Sequence, residues 1–260
     1  MGILTLTTDF GRRDAYVGAM KGVVLGLAPQ TSLVDITHEI TPQDVLEAAY
    51  VLGGAYPHFP AGAVHLVVVD PGVGTDRRSI VLQTEDHWFI APDNGVLSAA
   101  LEGEVIRRIV SIENADYFNE KVSSTFHGRD IFAPVAAAIL NGSAAEVFGP
   151  VVDDPVTLEN WLVDSGDGYV EGSVVHVDHF GSCITQIRRA DLEQAGIDKV
   201  CRIAVRDVEL VGIHNTYSEV SSGSTLALWG SRDTLEIAIN GGRAARQLEI
   251  SRGDSVRVHR

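Results

Sequence analysis

Apolar residues in the first half of the chain gather in short runs, separated by segments with helical spacing. The runs predict buried strands at residues 3–7, 33–36, 64–69, 79–84 and 88–91. Helices are predicted at residues 16–27, from Thr41 as N-cap with Pro42 at the first helical position, and in the alanine-rich segment 129–140. This alternation of strands and helices is typical of an α/β layered domain.

The pattern changes after the loop "DDPVTLENW", where helical spacing gives way to short strands. These strands are predicted at residues 172–178, 184–187, 199–205, 225–229 and 235–239. We therefore predict an α/β N-terminal domain over residues 1–158 and a smaller C-terminal antiparallel β-barrel domain over residues 159–260.

Composition narrows the class of protein. Hydrophobic residues make up 45% of the 260, which is typical of a folded globular chain. The net charge of −15 argues against nucleic acid or an anionic membrane as partner, because both need clustered Lys and Arg. Cys183 and Cys201 have neither metal-site spacing nor a disulfide framework. With no leader pattern and no apolar run of roughly 18 residues, we expect a cytoplasmic protein without a metal.

Two acids follow predicted strands at the edge where open α/β sheets bind ligands. Asp9 ends the first strand in "LTTDFG", and Asp70 ends another in "VVVDPGVGTDRRS". For either acid alone, an Asx-turn or a helix cap is the more common role. Here two acids lie on the same edge, and both are followed by glycines that permit close backbone approach. Together they favour a ligand-binding site about as strongly as these structural roles.

Arg77 and His127 complete a possible reactive group. Arg77 returns toward Asp70 after the turn, and His127 lies in "SSTFHGRDIF" before a predicted helix. A capping or buried structural role for His127 stays open at this point. Arginine stabilises a developing hydroxide, histidine accepts a proton near neutral pH, and an acid orients either one. Together they suit metal-free activation of water, although the residues do not indicate what the water attacks.

The chain resembles the S-adenosyl-L-methionine (SAM) hydroxide adenosyltransferases, which are relatives of fluorinase and chlorinase. The resemblance lies in seven motifs that occur in the same order: "TDFGRRDAYVGAMKG", "VDITHEITPQDVLEAAYVL", "VVVDPGVGTDRRS", "IAPDNGVL", "TFHGRD", "VVHVDHFGSCITQI" and "LWGSRDTLEIAINGG". It implies an α/β domain joined to a β-barrel. It also implies a homotrimer with active sites between subunits.

The resemblance also implies a role for individual residues. The catalytic constellation falls on Asp70, Arg77 and His127, and Asp9 matches the acid that holds the ribose hydroxyls. Four matches concern the rest of the substrate: Asp14 and Asp178 on the amino-acid side, Ser231 and Arg232 at the methionine carboxylate. Tyr217 matches an aromatic that packs on adenine. Ser182 stands where the family usually has an Asn that reads adenine, and Gln43 where the halogenating relative has a Trp.

The activity implied is hydrolysis of SAM at C5′ of the ribose, giving adenosine and L-methionine without a cofactor. The halogenating relatives have an uncharged tyrosine at the position of Asp70, and a carboxylate there would repel a halide. Two alternatives stay open: a halide-using adenosyltransferase on the same scaffold, and a non-catalytic module that binds SAM or adenosine.

Overall fold

A computed structural model describes the backbone of residues 2–260 and every side chain in that range except that of Asn160. The chain divides into two compact units, Met1–Leu158 and Glu159–Arg260. No helix among the described residues combines the length and the apolar character needed to cross a bilayer.

A mixed sheet with strand order β2-β1-β3-β5-β4-β6 organises the first unit. Its strands are β1 Ile3–Thr8, β2 Ser32–Thr37, β3 Val64–Val68, β4 Ser79–Thr84, β5 Trp88–Pro92 and β6 Ile106–Ser111. The β1–β2, β1–β3 and β3–β5 pairs are parallel, and β4 pairs antiparallel with β5 and β6. The α/β prediction for this half of the chain is therefore confirmed.

Helices cover the sheet of the first unit and bury its apolar side chains. They are α1 Tyr16–Leu27, α2 Val45–Ala55, α3 Ser98–Gly103 and α4 Ala133–Leu140. A π-helical turn, Gly128–Phe132, leads into α4. Leu6, Leu66 and Phe132 are fully buried in the resulting core. Burial of a side chain of this size contributes about 1.5–3 kcal/mol.

The start of α2 differs from the sequence prediction. Helix α2 begins at Val45 with Asp44 as N-cap, and the Asp44 carboxylate accepts the N–H of Glu47 at 2.7 Å. The prediction of Thr41 as N-cap and Pro42 as first helical residue is wrong. Gln43 has φ 66°, in the left-handed region, so the helix cannot extend back through it.

The second unit is built around a mostly antiparallel sheet with strand order β11-β10-β15-β8-β9-β14-β13-β12, and β7 pairs with β8. Its elements are β7 Asp164–Gly166, β8 Tyr169–Val177, β9 Cys183–Arg188, α5 Arg189–Gln194, β10 Arg202–Val205, β11 Val208–Val211, β12 Ile213–His214, β13 Thr225–Trp229, β14 Thr234–Ile239, α6 Ala244–Gln247 and β15 Ser255–His259. Strands β12 and β13 pair parallel. The strands predicted in this half are present, while a closed antiparallel barrel stays a prediction.

Candidate active site

A cavity of about 330 Å³ opens at the carboxyl ends of β1 and β3 in the first unit. These neighbouring strands are parallel, and Thr8 pairs with Val68 at their ends. Asp9 and Asp70, which follow those ends, both line the cavity, as the sequence predicted. The other lining residues are Phe10, Tyr16, Pro42, Gln43, Val68, Val73, Thr125, Phe126, His127 and Gly128.

Arg77 binds the carboxylate of Asp70 behind the cavity wall. Its Nε lies 2.9 Å from Oδ1 and 3.0 Å from Oδ2, and its Nη2 also donates to Oδ2. Nη1 donates to Ser79 Oγ at 2.7 Å. Both side chains of the ion pair are nearly buried. The guanidinium is therefore held in one orientation, with its charge beside Asp70, which lines the cavity.

His127 joins this ion pair through its ring. Arg77 Nη2 lies 3.0 Å from His127 Nδ1, and because arginine can only donate, Nδ1 is the acceptor. The proton of the neutral ring is thereby assigned to Nε2. Burial and the neighbouring charge of Arg77 lower the pKa of His127, so the ring is neutral at pH 7. His127 occupies the N-cap position of the π-helical turn without a side-chain capping bond, which sets aside the capping interpretation.

The glycines of "DPGVGTDRR" let the chain turn back tightly enough to form this cluster. Gly74 has φ +78°, and a Cβ there would lie 2.4 Å from the carbonyl oxygen of Ser124, in the loop that leads to His127. A Cβ on Gly72 would lie 3.2 Å from Cγ of Arg77. Side chains at either position would displace the loop of His127 or the arginine.

Asp9 lines the cavity and binds the backbone of the segment before α2. Its Oδ2 accepts the backbone N–H of Gln43 at 2.8 Å. This bond accompanies the left-handed backbone of Gln43, a conformation that costs about 1–3 kcal/mol in a residue other than glycine. Backbone strain at a cavity wall, tied to an acid that lines it, is typical of a built binding site.

An aromatic cluster beside the acids was missed in the sequence analysis. Phe10, Tyr16 and Phe126 all line the cavity, and their ring centroids lie 5.2–5.9 Å apart. Phe10 directly follows Asp9 in "TDF" and Phe126 directly precedes His127 in "TFHG", which was the available signal. Aromatic faces attract cations and pack against flat or apolar groups.

The loop before His127 is held by Asp130. Its carboxylate accepts the N–H of Ser123 at 2.9 Å, the amide of Asn119 at 3.0 Å and Nε of Arg129 at 2.7 Å. Hydrogen bonding by Arg129 is the main cause of the lowered pKa of Asp130, although burial opposes it. Asp130 therefore stays ionised and keeps these hydrogen bonds over a wide pH range.

A second cavity, of about 930 Å³, lies within the second unit. Its lining includes four of the predicted substrate residues: Asp178, Ser182, Tyr217 and Ser231. The Ser182 N–H donates to Asp178 Oδ1 at 2.8 Å. Glu236, which the sequence analysis missed, also lines the cavity and accepts from Tyr217 Oη at 3.4 Å. Burial and the nearby Asp178 raise the pKa of Glu236.

Three predicted residues are not part of either cavity lining, and one of them is Arg77, the partner of Asp70. Asp14 is exposed in the loop before α1, and Arg232 lies in the turn between β13 and β14. Arg78, the neighbour of Arg77, binds Asp93 at 2.8 Å and Asp154 at 2.6 Å. Arg78 therefore takes no part in the cluster of Asp70, Arg77 and His127.

Comparison with known proteins agrees with the motifs. The model of the SAM hydroxide adenosyltransferase N-terminal domain matches residues 4–149, and that of the C-terminal domain matches residues 172–257. An (R)-S-adenosyl-L-methionine hydrolase of Salinispora tropica is 41% identical over 262 residues, covering 98% of this chain and 97% of that protein. A fluorinase of Nocardia brasiliensis is 26% identical over 289 residues, covering 98% and 96%.

A solved structure has the same fold over almost the whole chain. The crystal structure of an uncharacterized conserved protein from Thermotoga maritima superposes with a TM-score of 0.90 at 38% sequence identity. The match covers 99% of this chain and 100% of that one.

Proposed function

The chain belongs to the SAM hydroxide adenosyltransferase family, and we propose that it hydrolyses SAM at C5′ of the ribose to give adenosine and L-methionine. The observation that carries this proposal is the hydrogen-bonded group of Asp70, Arg77 and His127 beside a cavity. The likeness to the (R)-S-adenosyl-L-methionine hydrolase of Salinispora tropica supplies the substrate.

The proposed reaction is a nucleophilic displacement at C5′ with methionine as the leaving group. A water molecule held between Asp70 and His127 attacks C5′ opposite the sulfonium. The C5′–O bond forms as the C5′–S bond breaks, and the electron pair of that bond goes to sulfur. Methionine leaves as a neutral thioether, so no acid is needed on its side. The proton of the water passes to the Asp70 carboxylate, and no cofactor or metal enters the balance.

The assigned tautomer changes the role of His127 from the one expected from sequence. Its Nδ1 lone pair is occupied by Arg77, so His127 does not act as the base. We assign it a donor role: Nε2–H donates to the water oxygen and aims a lone pair at C5′. Asp70 lines the same cavity and accepts the proton. Holding the water in line with the C–S bond supplies several kcal/mol of the barrier reduction.

The cavity composition suits a sulfonium and opposes a halide. Phe10, Tyr16 and Phe126 give the cation aromatic surface, and Asp9 and Asp70 give it negative charge. Attack joins a nucleophile to a cation, so charge disappears in the transition state and a poorly solvated cavity favours it. A fluoride or chloride ion beside Asp70 would instead meet like charge at low dielectric.

We place the remaining parts of the substrate on the residues implied by the family. Asp9 holds the ribose hydroxyls, and Tyr217 packs on adenine beside Ser182. Asp14 and Asp178 bind the α-ammonium, while Ser231 and Arg232 bind the carboxylate. The two cavities each lie within one unit, so we propose a homotrimer in which the first unit of one subunit meets the second unit of a neighbour.

Subunit complementation tests that assembly. Asp70→Asn and Arg232→Ala are each expected to abolish activity alone, since they damage different halves of the site. After mixing and subunit exchange, some sites combine two intact halves, and activity should return in part. An active monomer in light scattering would contradict the proposal.

Product analysis tests the reaction itself. The purified protein is incubated with SAM, and the products are separated by chromatography. Adenosine and methionine in equal amounts are expected, also with excess chloride or fluoride present. A 5′-halogenated adenosine as major product would assign a halide-using enzyme instead. Binding without turnover would assign a non-catalytic module.

A further inference from the structure

His38 holds the segment that carries Asp9 from both ends. Its buried ring lies beside Thr8, with Nδ1 2.9 Å from Thr8 Oγ1. Its backbone carbonyl accepts the N–H of Gly11 at 2.7 Å. Asp9 and Phe10, which line the catalytic cavity, are the residues between these two attachment points.

The contacts of Thr8 and His38 indicate which atom donates each proton. The Phe10 N–H donates to Thr8 Oγ1 at 3.2 Å, so the hydroxyl proton of Thr8 is available to His38 Nδ1. The ring proton then sits on Nε2, which lies within ion-pair distance of Asp35 Oδ1, at 3.0 Å, without the alignment of a hydrogen bond. Lys21 Nζ binds the other oxygen of Asp35 at 2.7 Å. Burial disfavours the charge on Asp35, but Lys21 and His38 outweigh it and lower its pKa.

The order Asp35–His38–Thr8 is that of an Asp–His–hydroxyl relay, yet it is not a nucleophilic site. Thr8 is fully buried, and its hydroxyl bonds are made to the backbone and to His38. A substrate carbon cannot reach it. The chain of contacts runs instead from a partly exposed ion pair to the backbone on either side of Asp9.

We propose that His38, anchored by Asp35, is a positioning residue that sets the Asp9 carboxylate for the ribose hydroxyls. This inference rests on the proposed role of Asp9 in substrate binding. Asp9 is fixed from a second direction by the Gln43 N–H, so one oxygen is committed to the protein. The approach of the other oxygen to a ribose then depends on the backbone at Thr8 and Gly11, which His38 determines.

The chain provides a matched control within the same strand. Thr5 is also fully buried in β1, and its Oγ1 lies 2.8 Å from Nδ1 of another buried histidine, His65. That histidine belongs to a core cluster and does not line the cavity. Thr8→Val and Thr5→Val therefore remove the same kind of contact at the same burial, and only the first acts on Asp9.

The experiment measures binding of adenosine and of 2′-deoxyadenosine by calorimetry, together with the melting temperature. Wild type should prefer adenosine, and Asp9→Asn should remove most of that preference. Thr8→Val should reduce it by about tenfold, which corresponds to about 1.4 kcal/mol. Thr5→Val should leave it unchanged while lowering the melting temperature by a similar amount. Thr8→Ser, which keeps the hydroxyl, should restore the preference.

Three results would overturn the inference. One is an unchanged preference in Thr8→Val when Asp9→Asn removes it. Another is an equal loss in Thr5→Val, which would show a general stability effect. The third is an unaffected preference in Asp9→Asn itself, which would remove the role of Asp9 and leave hydrolysis standing.

Because binding needs no turnover, the result holds even if wild type fails to hydrolyse SAM. If Thr8→Val does not fold, Asp35→Asn tests the same chain from its exposed end, and loss of preference there supports the inference.

Discussion

Two histidines of the first unit, one in β3 and one near its carboxyl end, have contrasting surroundings. His65 lies in β3 with His87, Tyr56 and Phe89 around it, fully buried. His127 is partly exposed in a cavity and bonded to Arg77, which binds the Asp70 that follows β3. Burial lowers the pKa of both rings, with His87 assisting at one and Arg77 at the other.

The two histidines show how the surroundings of a packing residue differ from those of a residue that we propose takes part in the reaction. The Nδ1 of His65 is hydrogen-bonded to Thr5, and the buried ring packs against its neighbours. Its neutral form therefore stabilises the fold. His127 is neutral because a cation occupies its lone pair, and this leaves a polarised N–H beside an acid and a cavity. A charged partner and open space, rather than a shifted pKa alone, mark the site.

The largest expected effects are a loss of activity on substitution of Arg77 or His127 and a loss of stability on substitution of His65. Arg77→Ala and His127→Ala should each lower kcat by about 100-fold or more, because charge stabilisation and water orientation are lost. SAM binding should fall much less. His65→Ala should leave kcat of the folded enzyme near wild type and lower the unfolding free energy by about 3 kcal/mol.

Kinetics and urea denaturation on the same preparations measure both quantities. Arg108→Ala is a suitable control, since Arg108 forms a surface ion pair with the exposed Glu146 and its loss should change neither quantity. Near-normal turnover in both Arg77→Ala and His127→Ala would make the cluster structural, like that of His65.

A smaller effect distinguishes the two nitrogens of His127. Glutamine places an amide N–H near the position of Nε2, whereas asparagine places a polar atom near Nδ1. If the N–H of Nε2 orients the water, His127→Gln should retain about tenfold more kcat than His127→Asn. The reverse order, measured at saturating SAM, would indicate that the contact with Arg77 is the essential one.

The pH dependence should also differ between the two histidines. Protonating His127 turns Nδ1 into a donor facing Arg77, so kcat should fall below pH 6.5, the ordinary pKa, with its midpoint under that value. For His65 the folded pKa is about 3, against 6.5 in the unfolded chain. The unfolded chain then binds more protons between these values, so stability is present above pH 6.5 and is lost as pH falls.

Denaturation at several pH values measures the His65 contribution. Between pH 6 and pH 5, where most carboxylates stay ionised, the loss should approach about 1.4 kcal/mol per pH unit. His65→Asn, which does not titrate, should flatten that slope and leave the acid limb of kcat in place. An unchanged slope would mean that His65 is not the group responsible.

The strands, the helices and the two acids at the sheet edge were predictable from sequence. Hydrophobic periodicity indicates the strands and helices, and the place of each acid directly after a strand indicates the edge. Buried runs marked β1 and β3, and the parallel arrangement placed Asp9 and Asp70 at one edge. Gly74 was flagged by its place in the turn, and its φ of +78° confirms that need. The chemistry of Arg77 and His127 suggested a group with Asp70, and the family resemblance assigned the three to one constellation, although 50 residues separate Arg77 from His127 along the chain.

What sequence reasoning missed depended on contacts between distant segments. The start of α2 was misplaced because the Asp9 carboxylate takes the N–H of Gln43, 34 residues away, and a local helix signal does not register that bond. Phe10 and Phe126 are far apart along the chain, and their ring contact forms only in the folded protein. The donor role that we propose for His127, in place of the proton-accepting one, likewise depends on a distant contact, since its tautomer is set by Arg77.

The claim that water is the nucleophile at C5′ is tested most directly by isotope labelling. SAM is incubated with the protein in water enriched in ¹⁸O, in the presence of excess chloride, and the products are examined by mass spectrometry. The account predicts one ¹⁸O atom in the 5′-hydroxyl of adenosine and none in methionine. Adenosine without the label, or 5′-chloro-5′-deoxyadenosine as the major product, would contradict it.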